Sequence, residues 1–236
     1  SAMVNGKTMG AYPAAKAMMS AIYEGSLVPF DTALRIEARW FTNIVMNPSS
    51  SAMIRSLFIS KGALEKGAVR PKEVPDQRVK TVGILGAGMM GAGIALVAAQ
   101  AGINVVLVDR DQTAADKGKD YSEKYLTDGI NRGKISDKIK DETLTRILAT
   151  NDYTNLSEAD LVIEAVFEDA KVKSDVTKAV VEVIPKDCIF ASNTSTLPIS
   201  ELATASKYPE NYIGIHFFSP VEKMLLVEII KGKKTE

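Results

Sequence analysis

The stretch from Lys80 to Asp109, KTVGILGAGMMGAGIALVAAQAGINVVLVD, constrains this chain more than any other. It opens with a short apolar run, Thr81 to Leu85, rich in β-branched residues and bounded by glycine, which is the pattern of a buried strand. Gly86, Gly88 and Gly91 then form G-x-G-x-x-G, and Met89 to Ala101 continues as a helix of small residues. A second apolar run, Val105 to Val108, ends on Asp109. Gly86 permits a tight strand-to-helix turn, Gly88 lets a ligand come close to the backbone, and Gly91 lets the helix lie against the strand. The helix N-terminus offers free N–H groups and the positive end of its dipole, which suits phosphate. Asp109, 18 residues past Gly91, stands where a carboxylate reaches ribose hydroxyls. Strand, glycine turn, helix, strand and acid in this order predict a dinucleotide site rather than a glycine-rich packing turn.

The remaining composition narrows the partners. The 236 residues carry 29 basic and 29 acidic side chains, so the formal charge is zero and nothing favours nucleic acid or an anionic membrane. One cysteine, Cys188, excludes an intrachain disulfide and suits a reducing compartment. No apolar run approaches the ~20 residues that span a bilayer, and no signal peptide is visible. Ser1-Ala2-Met3 is expected to be a cloning remnant. The chain, which stops at Lys-Lys-Thr-Glu directly after a strand-like run, is expected to be a piece of a larger protein.

Ahead of the glycine turn, Pro13 suits the first turn of a helix that runs through AAKAMMSAIYEG to Gly25. Asp31 is the expected N-cap of a second helix, TALRIEARWFTNIVM, ended by Pro48. Its Leu34, Ala38, Phe41 and Val45 form a stripe that must pack on something. The serines at 49–51 are the expected cap of a third helix, AMIRSLFISKGALEKG, and residues 1–10 carry no strong signal. These helices show no obvious self-contained core and suggest a connecting layer against another domain, with a small independent bundle as the alternative. The polar, proline-bearing stretch from Lys66 to Lys80 marks the boundary, with domains expected over 1–75 and 76–236.

After Asp109, the polar stretch Asp111 to Ala149 predicts two charged helices broken near Gly133, with solvated faces. Strands are expected at Asp160–Val166, Cys188–Ser192, Tyr212–Phe218 and Leu225–Ile230, with a helix over Lys171–Ile184 stopped by Pro185. Strands alternating with helices imply right-handed crossovers and an α/β, doubly wound, mostly parallel sheet of Rossmann type. Ligands of such sheets bind beyond the carboxyl ends of the strands. Asp109, Glu168, Ser192 to Ser195 and His216 should therefore gather on one edge. His216 is the chain's only histidine, and it ends a strand beside Phe217, Phe218 and Pro220. Glu228 lies in the final apolar run, where a carboxylate needs a partner, and His216 is the candidate. A carboxylate on one ring nitrogen would leave the other to take the proton of an alcohol as its carbon is oxidised. Ser195 could hydrogen-bond the reacting oxygen, while Ser192-Asn193-Thr194-Ser195 could equally cap the helix that follows.

The runs GAGMMGAGIA, LVIEAVFEDAKVK, FASNTSTLPIS and IGIHFFSPVEKMLLVEII, in this order, closely resemble the L-3-hydroxyacyl-CoA dehydrogenases over residues 78–236. The segment from YPAAKAMM to SLFISKGALEKG resembles the linker of the multifunctional fatty acid oxidation α subunit, which joins an enoyl-CoA hydratase/isomerase domain to the dehydrogenase. The resemblance implies NAD as cofactor, an acyl-CoA substrate, and oxidation of L-3-hydroxyacyl-CoA to 3-ketoacyl-CoA in β-oxidation. The parent would also hydrate 2-enoyl-CoA and pair with a thiolase β subunit. The bacterial cytoplasm is the implied compartment, with the mitochondrial matrix as alternative. Catalytic roles fall by motif on His216, Glu228 and Ser195. Cofactor contacts fall on Gly86, Gly88, Met90, Gly91, Asp109, Val166, Glu168, Lys173 and Ser195, and on Ser219, where many members have asparagine. No metal is implied. The family's catalytic asparagine and helical C-terminal domain would lie beyond Glu236, so this chain alone is expected to bind the cofactor but turn over poorly. The alternatives are a short-chain 3-hydroxybutyryl-CoA dehydrogenase and a non-catalytic NAD-binding or assembly module.

Overall fold

The structure is a computed structural model that describes residues 2–75 and 77–236. Ser1 and Asp76, the first residues of the expected cloning remnant and of the expected second domain, lie outside the described residues. The chain divides into two compact units, Ser1–Asp76 and Gln77–Glu236.

The first unit is helical: α1 (Ala2–Thr8), α2 (Pro13–Gly25), α3 (Phe30–Val45), α4 (Pro48–Met53), a π-helical segment (Ile54–Ser60) and α5 (Lys61–Glu65). Pro13 opens α2, where a missing N–H costs nothing. Asp31 is not the cap of α3. Pro29 holds that position in an extended conformation, and Asp31 lies in the first turn, where its charge meets the helix dipole. Nor do the serines at 49–51 cap the next helix: the Asn47 side chain accepts the Ser49 N–H, and Pro48 begins α4 rather than only ending α3. Leu34 and Phe41 of the apolar stripe line a groove between α2 and α3 with Ala17, Met18, Ile22 and Trp40. The stripe stays largely uncovered, with Phe41 68% exposed. The Trp40 indole N–H donates to Glu24 Oε1 at 3.0 Å, tying α3 to α2.

Seven strands among the described residues of the second unit form one sheet: β1 (Thr81–Leu85), β2 (Asn104–Val108), β3 (Ile147–Thr150), β4 (Leu161–Glu164), β5 (Ile189–Ser192), β6 (Tyr212–Phe217) and β7 (Val227–Lys231). Their order is β3-β2-β1-β4-β5-β6-β7. The neighbours from β3 to β6 pair in parallel, while β7 runs antiparallel to β6. Helices α6 (Met89–Gln100), α7 (Gln112–Asn131), α8 (Asp137–Thr145), α9 (Ala170–Val180) and the short α10 (Ile199–Leu202) supply the crossovers. The sheet's two faces each carry an apolar core, one including Val106, Phe190 and Tyr212, the other Ile84, Leu107 and Ala191. This is the doubly wound plan, and parallel strands buried on both faces read as the continuous apolar runs seen in β1 and β2.

Two expectations need correction. The polar stretch to Ala149 does not end in helix: Ile147–Thr150 is a strand on the outside of β2, registered Val105 to Ile147 through Val108 to Thr150. Four residues beside a long charged helix are too few for an alternation pattern to emerge. The final strand is also shifted from the expected Leu225–Ile230. The strand β7 begins at Val227 rather than Leu225 and, as the outermost strand, is exposed along its length, with Ile229 at 61%.

The contact between β1 and α6 sets the geometry of the nucleotide-binding half. Gly86 sits at φ +95°, and a methyl built there would lie 2.7 Å from the Ala165 carbonyl oxygen of the neighbouring strand's loop. A methyl at Gly91 would lie 1.7 Å from the Gly86 carbonyl oxygen. Neither neighbour is a flexible side chain, so only backbone displacement could relieve the overlap. Gly91→Ala should therefore cost about 3 kcal/mol or more of stability, at the upper end of overpacking. Denaturant unfolding should show a lowered midpoint; an unchanged midpoint would mean that α6 can ride outward freely.

Candidate functional site

Carboxyl ends of parallel strands all open on one edge of the sheet, and most of the residues singled out by sequence lie along it. At β1 the chain turns through Gly86–Gly88 into α6. Gly88 caps that helix without a side-chain hydrogen bond, and an added Cβ there would meet no heavy atom within 4 Å. The first-turn N–H groups of a twelve-residue helix thus face open space in a cleft of about 920 Å³. Gly86, Gly88, Met90, Asp109 and Val166 all border this cleft. Gly91 does not; it is buried behind the turn and acts through packing. Asp109 follows β2, and its Oδ2 accepts the Ala87 N–H at 2.6 Å while Oδ1 accepts the Arg110 N–H at 2.7 Å. The carboxylate is thereby held at the mouth of the glycine turn. Open backbone at Gly88, an uncapped helix end and a fixed carboxylate together fit the pyrophosphate and ribose of a dinucleotide.

The adjoining stretch follows β4 and β5. Glu168 extends from the loop after β4 and receives the Thr194 hydroxyl, the Ser195 N–H at 3.2 Å and the Thr196 hydroxyl at 3.4 Å. Burial alone would raise its pKa, but the Thr194 hydroxyl, the Lys173 ammonium and the Ser195 N–H outweigh it and hold the carboxyl below its ordinary value. Ser195 itself is exposed at the edge. Asn193 accepts the Phe217 N–H at 2.8 Å through its side chain, lashing this loop to β6.

Lys173 lies elsewhere than at the cleft. It is 1% exposed, and its ammonium contacts Glu164 Oε1 at 2.7 Å and Glu168 Oε2 at 3.1 Å. Glu164 was missed by sequence reasoning. It is 0% exposed at the end of β4, and its Oε2 also accepts the Ser192 hydroxyl at 2.7 Å. An acid closing the apolar run LVIE, with a lysine nine residues on, was the available signal. Losing Lys173 would leave the buried Glu164 charge without its counter-ion, a change that costs about 3–5 kcal/mol.

At the far side, His216 and Glu228 are direct cross-strand partners of β6 and β7, so their side chains share a face. His216 Nδ1 lies 2.8 Å from Glu228 Oε2. The carboxylate can only accept, so Nδ1 carries the hydrogen; in the neutral imidazole this leaves the lone pair on Nε2. The imidazole is packed, with 18% of its side chain exposed and its ring centroid 4.6 Å from that of Phe218; Glu228 is 53% exposed. Ser219 lies across from α6, its Oγ 3.7 Å from Met89 Sδ. Cys188 takes no part: burial, helped by the charges of Asp160 and Asp187, pushes its thiol up to about 12. Among the described residues no cluster of His, Cys, Asp or Glu is grouped to hold a metal, and no helix is long and apolar enough to cross a membrane.

Comparison with known proteins gives this edge its context. Residues 81–236 match the family described as 3-hydroxyacyl-CoA dehydrogenase, NAD binding domain. The fatty acid oxidation complex subunit alpha of Shewanella halifaxensis is 38% identical over 229 residues, 97% of this chain and 32% of that protein. That of Psychrobacter cryohalolentis is 40% identical over 224 residues, 95% of this chain and 31% of that protein. The chain thus spans about a third of the length of these relatives. The crystal structure of an (S)-3-hydroxybutyryl-CoA dehydrogenase from Ralstonia eutropha superposes with a TM-score of 0.66 at 39% identity, covering 67% of this chain and 56% of that one. Residues 81–236 are thus an NAD-binding domain, and the chain belongs to the 3-hydroxyacyl-CoA dehydrogenase family.

Proposed function

We propose that this chain is the linker and NAD-binding part of a multifunctional β-oxidation protein that oxidises L-3-hydroxyacyl-CoA to 3-ketoacyl-CoA. The observation that carries the reading is the His216–Glu228 pair, 2.8 Å apart on the same sheet edge as the glycine cleft. The multifunctional parent is favoured over a short-chain hydroxybutyryl-CoA enzyme because similarity to the complex α subunits covers 97% of the chain, leading helices included. The hydroxybutyryl-CoA dehydrogenase structure covers only 67%. On this reading the domains are 1–75 and 76–236, an enoyl-CoA hydratase activity and a thiolase β partner belong to the parent, and the bacterial cytoplasm is its compartment.

In this site the Gly86–Gly88 turn and the α6 N-terminus receive the pyrophosphate, and Asp109 takes the adenosine ribose hydroxyls. Met90, Val166 and Ser219 line the path of the cofactor, and Glu168 shapes it from the opposite loop. Bound NAD supplies the acceptor for the hydrogen that leaves the carbinol carbon with its electron pair. His216 Nε2 removes the hydroxyl proton, and Glu228 holds the ring in that tautomer and stabilises the imidazolium that results. Ser195 donates to the substrate oxygen, and Lys173 acts from below, through Glu168.

Calorimetric titration should show NAD bound more tightly than NADP, because the Asp109 carboxylate repels a 2′-phosphate. Asp109→Asn, which can still accept the Ala87 N–H, should narrow that preference while the fold stays intact. Equal affinity for the two cofactors in the unaltered protein would defeat the assignment. Gly88→Ala has room for its methyl, so its stability should stay within about 0.5 kcal/mol while NAD affinity falls. Unchanged affinity would move the pyrophosphate away from the turn.

In the full-length protein, His216→Gln should lower the dehydrogenase kcat by about 10²–10⁴-fold with little change in NAD affinity. Near-normal turnover would return His216 to a packing role. The depressed Glu168 carboxyl adds a pH dependence. A group whose folded pKa lies below its unfolded value of about 4.3 stabilises fully above that value and loses its contribution as pH falls through the folded one. Melting curves of the unaltered protein and of Glu168→Gln should therefore differ near neutrality and converge in acid. A gap that persists below that range would contradict the assignment.

A further inference from the structure

The proposed chemistry uses Ser195 and the loop around it, but not the group beneath them. Glu164 closes a strand of Leu161, Val162 and Ile163 and is wholly buried. Its two oxygens take three donors: the Lys173 ammonium and the Val166 N–H on Oε1, at 2.7 and 2.9 Å, and the Ser192 hydroxyl on Oε2 at 2.7 Å. Lys173, itself buried, reaches on to Glu168 Oε2 at 3.1 Å. The other oxygen of Glu168 receives Thr194 and the Ser195 N–H. One chain of charges thus runs from the sheet interior to an exposed loop. Stability alone does not call for it, because well-packed apolar side chains serve a core as well as a buried ion pair or better.

We propose that Glu164 is a positioning residue, which fixes the loop carrying Ser195 by sharing the Lys173 ammonium with Glu168. The inference rests on the reading of that loop as the substrate side of the site. With Glu164 ionised, the ammonium is divided between two carboxylates, and Glu168 Oε1 stays turned outward to the loop. Without that charge, an ammonium walled off from water has Glu168 as its one remaining counter-ion. It no longer bridges two carboxylates, so it ceases to fix Glu168 beneath the Ser195 N–H, and the loop loses its anchor.

Three variants test this by amide exchange across residues 193–197, thermal unfolding and NAD titration. Glu164→Gln keeps the shape and removes the charge. It should speed exchange at Ser195 by about ten- to a hundredfold, the equilibrium equivalent of one charge-assisted hydrogen bond, and weaken NAD binding several-fold. Glu164→Gln combined with Lys173→Met removes both buried charges. That variant should regain thermal stability relative to the single one but not the slow exchange at Ser195, a split that a purely structural pair would not produce. Glu168→Gln should loosen the same amides, and its loss of thermal stability near neutrality should vanish in acid, where the wild-type carboxyl is also uncharged. If Glu164→Gln does not fold, the double variant and Glu168→Gln decide the matter on the same readouts. Wild-type exchange at Ser195 in folded Glu164→Gln, or recovery of both stability and exchange in the double variant, overturns the proposal. Failure of the unaltered protein to bind NAD would sink the functional reading instead, and leave the exchange results to judge the loop on its own.

Discussion

The close approach of a helix to a strand is the constraint on which the cofactor half of this structure depends. The Gly86 carbonyl oxygen occupies the space a methyl on Gly91 would need, so α6 can lie against β1 only because position 91 has no side chain. That seating fixes where the helix N-terminus points, and so where its unpaired N–H groups can meet a phosphate. Asp109 reinforces the arrangement by accepting the Ala87 N–H from across the β1–β2 pair. The glycine pattern is thus a packing requirement first, and a binding site because of the packing.

The second half of the edge is held by charge rather than by close packing. Glu164, Lys173 and Glu168 belong to β4, α9 and the loop between them, and through Ser192, Thr194 and Ser195 they reach the end of β5. A buried ammonium between two carboxylates tolerates little displacement, since each contact is strong only at hydrogen-bond distance and water cannot substitute for a lost partner. Loops at the ends of a parallel sheet have no ladder to order them. Here the order comes from this chain of ions and from Asn193, which accepts the Phe217 N–H.

The third part depends on the one reversal of direction in the sheet. If β7 ran parallel to β6, its N-terminal end would lie at the opposite edge, and Glu228, the second residue of the strand, would be far from His216. Running antiparallel, β7 begins where β6 ends, and the two side chains become direct cross-strand neighbours. Sheet register, rather than any local motif, makes the acid–base pair. The apolar side chains of β7 are mostly exposed, while the imidazole is shielded by Phe218, so the ring is packed although its carboxylate partner is open to solvent.

The amino-acid sequence by itself determined the parts governed by local physics. Apolar runs of β-branched residues, the glycine spacing and the terminal aspartate marked β1, α6, β2 and the cofactor turn, because tight turns and close packing restrict which residues are allowed at each position. It also marked His216 and Glu228 as a pair, since an acid in an apolar run calls for a partner. Tertiary structure decided what has no local signature. Ile147–Thr150 became a strand because the edge of β2 was there to receive it, and Asn47 capped α4 because Pro48 began the helix one residue later. Lys173 was drawn into the interior because Glu164 was already buried beneath it, a placement set by the packing of α9 against the sheet. Burial and the meeting of distant charges are properties of the assembled layers, and only the fold could assign them.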